Sequence, residues 1–149
     1  MQTRHIQTDR LNQQVLEAGS GPLVLLIHGF PELGISWRAQ VEALAASGYH
    51  AVAPDMRGYG GTDKPGETAG YSILDLVGDM VDLVRALGET ECVVVGHDWG
   101  SAVAWHCALR RRLTASRVQA RASQGRQRRF ASNDWASPSL LHKHILLTL

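Results

Sequence analysis

With 149 residues, 44% of them hydrophobic and 19% charged, the chain has the size and composition of one globular domain, which excludes a disordered polyelectrolyte and a fibre. Its longest apolar runs, at 22–27 and 92–95, are strand-sized and far short of the roughly 18 residues a membrane helix needs. The net charge of +1 conceals a split: residues 1–109 carry six Lys/Arg against thirteen Asp/Glu, whereas from Arg110 onward nine Lys/Arg face one acid, Asp134.

Residues 1–14 are polar and lack the apolar stretch of a secretion signal, so a soluble cytoplasmic protein is expected. Residues 14–17 and 23–28 then read as two strands joined by a Gly-Pro turn, the second apolar on both faces like a buried strand of an α/β sheet. Beyond the loop at 29–34, Trp37, Val41, Leu44 and Ala45 recur at helical spacing up to Gly48, and Trp37 is expected in the helix core. Residues 50–54 form a third strand, and a Gly-rich loop follows with strong turn chemistry at Asp63-Lys64-Pro65-Gly66. Leu76, Met80, Leu83, Val84 and Leu87 mark the buried face of a helix over about 72–87. A strand at 92–95 and a helix at 101–111 complete an alternation that implies a mostly parallel sheet with helices on both faces. Cys92 and Cys107 lack metal-ligand or disulfide-framework spacing and are expected as buried free thiols. Residues 113–149 lack a sustained period; the Arg-rich stretch reads as solvated coil, and 140–149 is apolar enough for a short helix or strand without an obvious partner.

The chemistry concentrates at Gly96-His97-Asp98-Trp99-Gly100. A strand, a sharp turn and a helix start hold a nucleophile-capable residue between two glycines, the form of a nucleophile elbow, where bulk two residues before or after the centre would collide. The pentapeptide alone is a weak signal, and a helix-capping Asp is the bland alternative. An aspartate at the elbow narrows the reaction class. Attack by Ser on saturated carbon leaves an ether that water does not readily cleave, whereas attack by Asp leaves an ester that an activated water hydrolyses. Opening an epoxide or displacing a halide is the chemistry that suits it.

Three motifs, His28-Gly29-Phe30-Pro31-Glu32 after one strand, the 55–65 stretch DMRGYGGTDKP after the next and GHDWG at the elbow, resemble the epoxide-hydrolase family of α/β-hydrolases in order and spacing. The resemblance covers about residues 12–111 and implies an α/β-hydrolase fold, present as an incomplete mostly parallel sheet. It implies Asp98 as nucleophile, Phe30 and Trp99 as backbone donors of an oxyanion hole, and a cis peptide between Phe30 and Pro31. His28, Gly29, Pro31, Gly96, His97 and Gly100 fall at supporting motif positions, with neither histidine the general base. Asp55 and Arg57 are expected to pair with or cap loop backbone rather than touch substrate. The implied substrate is a small epoxide, with no cofactor, metal, nucleic acid or membrane; oligomeric state is open. Haloalkane dehalogenases share an elbow Asp followed by Trp, but often carry a halide-binding Asn where Phe30 stands here; a fluoroacetate-type dehalogenase is a further alternative. His142 and His144 lack further ligands and are taken as surface residues.

In the family, two lid tyrosines protonate the leaving oxygen and an acid-paired His activates water, all C-terminal to the helix after the elbow. Here the last tyrosine is Tyr71, and none of His106, His142 or His144 lies in a matching motif. The chain accordingly divides into 1–112, the N-terminal part of the domain, and 113–149, a basic tail outside the resemblance and expected to be disordered. Leu113-Thr114-Ala115-Ser116 stands where relatives carry a Pro-Asp-Arg-Val type sequence. Those four residues can be encoded as CTG ACC GCG TCC, which read one base earlier behind a C gives that sequence, so a frame shift near Arg112 is the expected origin. A basic tail for nucleic acid or another acidic surface is the rival. On this reading the chain does not turn over, the 92–95 strand becomes an open sheet edge, and solubility is poor. A non-catalytic fragment is the second class of reading.

Overall fold

Five consecutive apolar residues make β3 (Leu23–Ile27), and all five are buried because each face of the sheet has its own core. Leu23, Leu25 and Ile27 point to one side, where they meet Val77, Met80 and Leu83 of α2 (Ile73–Ala86) and Val103, Ala104 and Cys107 of α3 (Trp99–Thr114). Val24 and Leu26 point to the other, against Trp37 and Val41 of α1 (Arg38–Ala46) and the short 3-10 turn before it. Each fully buried aliphatic side chain of this kind contributes about 1.5–3 kcal/mol. The structure, a computed structural model, describes residues 1–114 and 144–148.

The sheet has six strands in the order β1-β2-β4-β3-β5-β6, the remaining five being β1 (Gln2–Gln7), β2 (Asn12–Ala18), β4 (His50–Pro54), β5 (Val93–His97) and β6 (His144–Thr148). β4, β3 and β5 are parallel; β1, β2 and β6 pair antiparallel, so the sheet is mixed, with its parallel part at the centre. The chain places β4 on one side of β3 and β5 on the other, so α1 and α2 cover opposite faces. Such a reversal marks the place, beyond the C-terminal ends of the parallel strands, where open α/β sheets bind their ligands.

Helix ends follow local chemistry. Ser72 and Asp75 form a reciprocal capping box at the start of α2, and Gly88, at φ 83°, follows its last turn. Two side-chain networks tie separate elements together. The Arg57 guanidinium meets Asp79 of α2 through two contacts of 2.6 and 2.5 Å, and also donates to the Gly70 carbonyl. Burial pushes the Asp79 carboxyl up while Arg57 pulls it back; the short two-pronged geometry favours the ion pair, and Asp79 in turn holds the guanidinium above its ordinary value. Glu17, buried in β2, is held below the ordinary carboxylate range: burial opposes this, but donors from Arg4, Gln2 and His50 outweigh it.

Two elements depart from the sequence reading. β1 lies in a stretch read only as polar, since Ile6 is its single buried residue and no alternation announces it. β5 is not the open edge that was expected. The apolar 144–148 segment lies antiparallel along its whole length, from Val93↔Thr148 to His97↔His144. Helix α3 also runs two residues past the expected break at Arg112. The other expectations for the tail, coil character and frame shift included, concern residues that lie outside the described ones. Cys92 and Cys107 are unbridged and buried, as the sequence implied. Among the described residues no helix is long and apolar enough to cross a membrane.

Candidate active site

Asp98 follows β5 directly and takes φ 53°, making it the one non-glycine residue in the left-handed region among those described. For an L-residue this conformation costs about 1–2 kcal/mol. Its neighbours show how the surroundings enforce it. A β-carbon on Gly96 would lie 2.2 Å from the Gly100 carbonyl oxygen, and one on Gly100 would lie 2.2 Å from the Ile27 oxygen. The second glycine therefore owes its place to the end of β3 as much as to the turn itself. Ser101 closes the bend from within: its amide donates to the Asp98 carbonyl at 3.0 Å and its hydroxyl to the Gly96 carbonyl at 2.8 Å.

Parallel pairing then decides what faces Asp98. Ile27 is registered opposite Gly96, so the residues just after β3 and just after β5 emerge side by side. Gly29 allows closest approach, since a β-carbon there would sit 2.5 Å from the Asp98 β-carbon. The Phe30 N–H donates to Asp98 Oδ1 at 3.0 Å. The backbone N–H groups of Phe30 first and Trp99 second hold the Asp98 carboxyl below the ordinary carboxylate range, so it is an anion at neutral pH. The peptide between Phe30 and Pro31 is cis. Phe30 and Trp99 are 65% and 64% exposed. This arrangement can present one oxygen of an ionised, fixed carboxylate as a nucleophile while the amides stabilise negative charge on the other, Oδ1.

His28 is fully buried, and both of its nitrogens are engaged. Nε2 accepts from the Met56 N–H at 2.9 Å, so the neutral ring carries its proton on Nδ1 and donates it to the Gly29 carbonyl at 2.9 Å. Burial lowers its pKa, and Tyr59 packs edge-on with ring centroids 5.0 Å apart. His97 is half-buried at the end of β5, next to Asp98. His106 sits within α3, its Nδ1 2.7 Å from the Ala102 carbonyl oxygen. Asp55 and Arg57 bind loop backbone and α2 as expected, and Trp37 is core. Ser101 and the Met56 amide were not singled out from the sequence. Serine after a Gly is too common a signal, and a backbone amide carries none.

A strand-order reversal beside β3, a left-handed Asp between strand and helix, and an opposing cis-proline loop define an α/β hydrolase. A family model described as the alpha/beta hydrolase fold matches residues 22–147, and the chain belongs to that family. Among curated relatives it is 47% identical over 104 residues to epoxide hydrolase 3 of Siraitia grosvenorii, covering 70% of this chain and 33% of that protein. It is 47% identical over 119 residues to epoxide hydrolase A of Mycobacterium tuberculosis, covering 78% and 36% respectively. A solved epoxide hydrolase from Vigna radiata superposes with a TM-score of 0.72 at 47% identity, over 74% of this chain and 36% of that one. The chain thus spans about a third of the length of the curated relatives it matches.

Proposed function

We propose that the chain carries the nucleophilic half of an epoxide hydrolase, with Asp98 attacking a ring carbon of a small epoxide. The carboxylate oxygen forms the new C–O bond, the ring C–O bond breaks, and its electron pair stays on the departing oxygen, which takes a proton from solvent water. The product of this step is a hydroxyalkyl ester on Asp98. An activated water would then attack the ester carbonyl and release a diol, with the Phe30 and Trp99 amides receiving the charge of the tetrahedral intermediate. The observation that carries this reading is the Phe30 N–H aimed at Asp98 Oδ1 across 3.0 Å. The names of the relatives favour an epoxide over a halide as the electrophile.

The second stage needs a base. His28 is closed in by its two hydrogen bonds and His106 is engaged within its own helix, so neither described residue is placed to serve. No histidine of this chain lies in a motif matching the family's acid-paired base, so the chain is expected to stop at the ester. Incubation with a small terminal epoxide should add the full mass of the reagent once, on Asp98 by peptide mapping, and Asp98→Asn should remain unmodified. Adduct on another residue, or an unmodified wild-type chain, would overturn the nucleophile assignment. Steady diol release would overturn the arrest at the ester.

A further inference from the structure

Three C-terminal strand ends stand in a row: β4, then β3, then β5. Asp98 comes directly after β5, and the turn that carries Phe30 directly after β3. In the corresponding position after β4 stands Asp55, a carboxylate only 3% exposed that takes no part in the nucleophile's own hydrogen bonds. Its Oδ1 accepts the Gly34 N–H at 2.8 Å, at the far end of the Phe30 turn. Its Oδ2 accepts the Gly61 N–H at 3.1 Å and Gln14 Nε2 at 2.9 Å, which fixes the carboxylate to β2 and to its own loop. The next residue, Met56, donates its N–H to His28 Nε2 at 2.9 Å, at the near end of the same turn. His28 passes the restraint on by donating to the Gly29 carbonyl, which also receives the Glu32 N–H at 3.0 Å.

We propose that Asp55 and His28 are positioning residues that clamp the 28–34 loop at both ends and thereby direct the Phe30 amide at Asp98. The physical reason is that the loop has little else to hold it. Phe30 itself is largely exposed, so its backbone direction is not set by burial of its own ring. Buried hydrogen bonds at either end, one of them to a charged oxygen, are the strong ones available. Sub-ångström placement of an oxyanion donor depends on such supporting groups. The inference rests on Asp98 as nucleophile with Phe30 as its amide donor, and deepens that reading.

The test is the titration of the Asp98 side-chain carboxyl, followed by carbon NMR in the full chain, in four proteins. In wild type it should titrate below the ordinary aspartate range. Asp55→Ala should shift it upward toward that range, because the Phe30 N–H loses its direction. Asp55→Asn, which keeps an acceptor oxygen for Gly34, should restore most of the depression. Gln14→Ala, which leaves the Gly34 bond in place, should titrate as wild type. A folded Asp55→Ala protein with an unshifted Asp98 would overturn the clamp.

Should Asp55→Ala not fold, hydrogen exchange of wild type decides. The Gly34 and Met56 amides must exchange no faster than Phe30, since a bond that opens more often cannot be what restrains it; faster exchange would overturn the proposal. The two readings separate cleanly. A shifted titration without any epoxide adduct leaves the clamp standing and removes the nucleophile assignment, and an adduct with an unshifted titration does the reverse.

Discussion

Among single residues, the site is built by one side chain held against its own preference and by the groups that hold it. Asp98 takes a left-handed backbone that asparagine or glycine would adopt more readily, and in exchange its carboxylate meets two amide donors. His28 shows the complementary case of a histidine whose value lies in staying neutral. Burial lowers its pKa below the ordinary 6.5, so as pH falls through that value the unfolded chain takes up a proton that the folded chain refuses. Stability from this group is complete above about pH 6.5 and declines below it, by at most about 1.4 kcal/mol per pH unit. Urea unfolding between pH 7.5 and 5 should therefore show a steeper acid loss for wild type than for His28→Gln. Parallel profiles would mean that the imidazole titrates alike in both states.

Between elements, the loop after β4 is joined to α2 by a pair of charges with almost no solvent around them. Arg57 and Asp79 have side chains 7% and 1% exposed. Removing one partner of such a pair leaves the other buried and uncompensated, which costs about 3–5 kcal/mol. Asp79→Ala should lower unfolding free energy by that order, read from chemical denaturation with unchanged m-value. A loss under about 1 kcal/mol would show that Arg57 finds water or another acceptor once the carboxylate is gone. The capping box at Ser72 and Asp75 fixes where α2 begins, and hence how far Asp79 lies along it. Helix start, ion pair and loop position are thus one mechanical unit.

Across the molecule, the sheet ends on β6, contributed by residues 144–148. An edge strand with unpaired amides and carbonyls invites pairing with other chains, and β6 covers that edge of β5 by antiparallel pairing over five residues. A chain ending at residue 143 should lose this cover. Sedimentation at rising concentration is expected to show association in the shortened chain and less of it in the full one. Equal behaviour of the two would show that the pairing does not protect the edge.

The alternation of elements, the two-sided burial of β3, the elbow and the loop facing it were all legible in the residues before any coordinates. The elements, the burial of β3 and the elbow rest on apolar periodicity, turn chemistry and the small residues a tight bend requires, whereas the loop facing the elbow was read from the resemblance carried by His28-Gly29-Phe30-Pro31-Glu32. Two elements were not legible: β1, whose one buried isoleucine leaves no pattern, and the partner of β5, which lies nearly fifty residues away in sequence. Nor was the reason for Asp55, because a carboxylate bonded to the amides of Gly34 and Gly61 looks like any loop aspartate until the chain has folded. Periodicity records which face of an element is covered. Which strand ends become neighbours is set by long-range pairing, and at this site three such ends together fix the distance between an amide and a carboxylate.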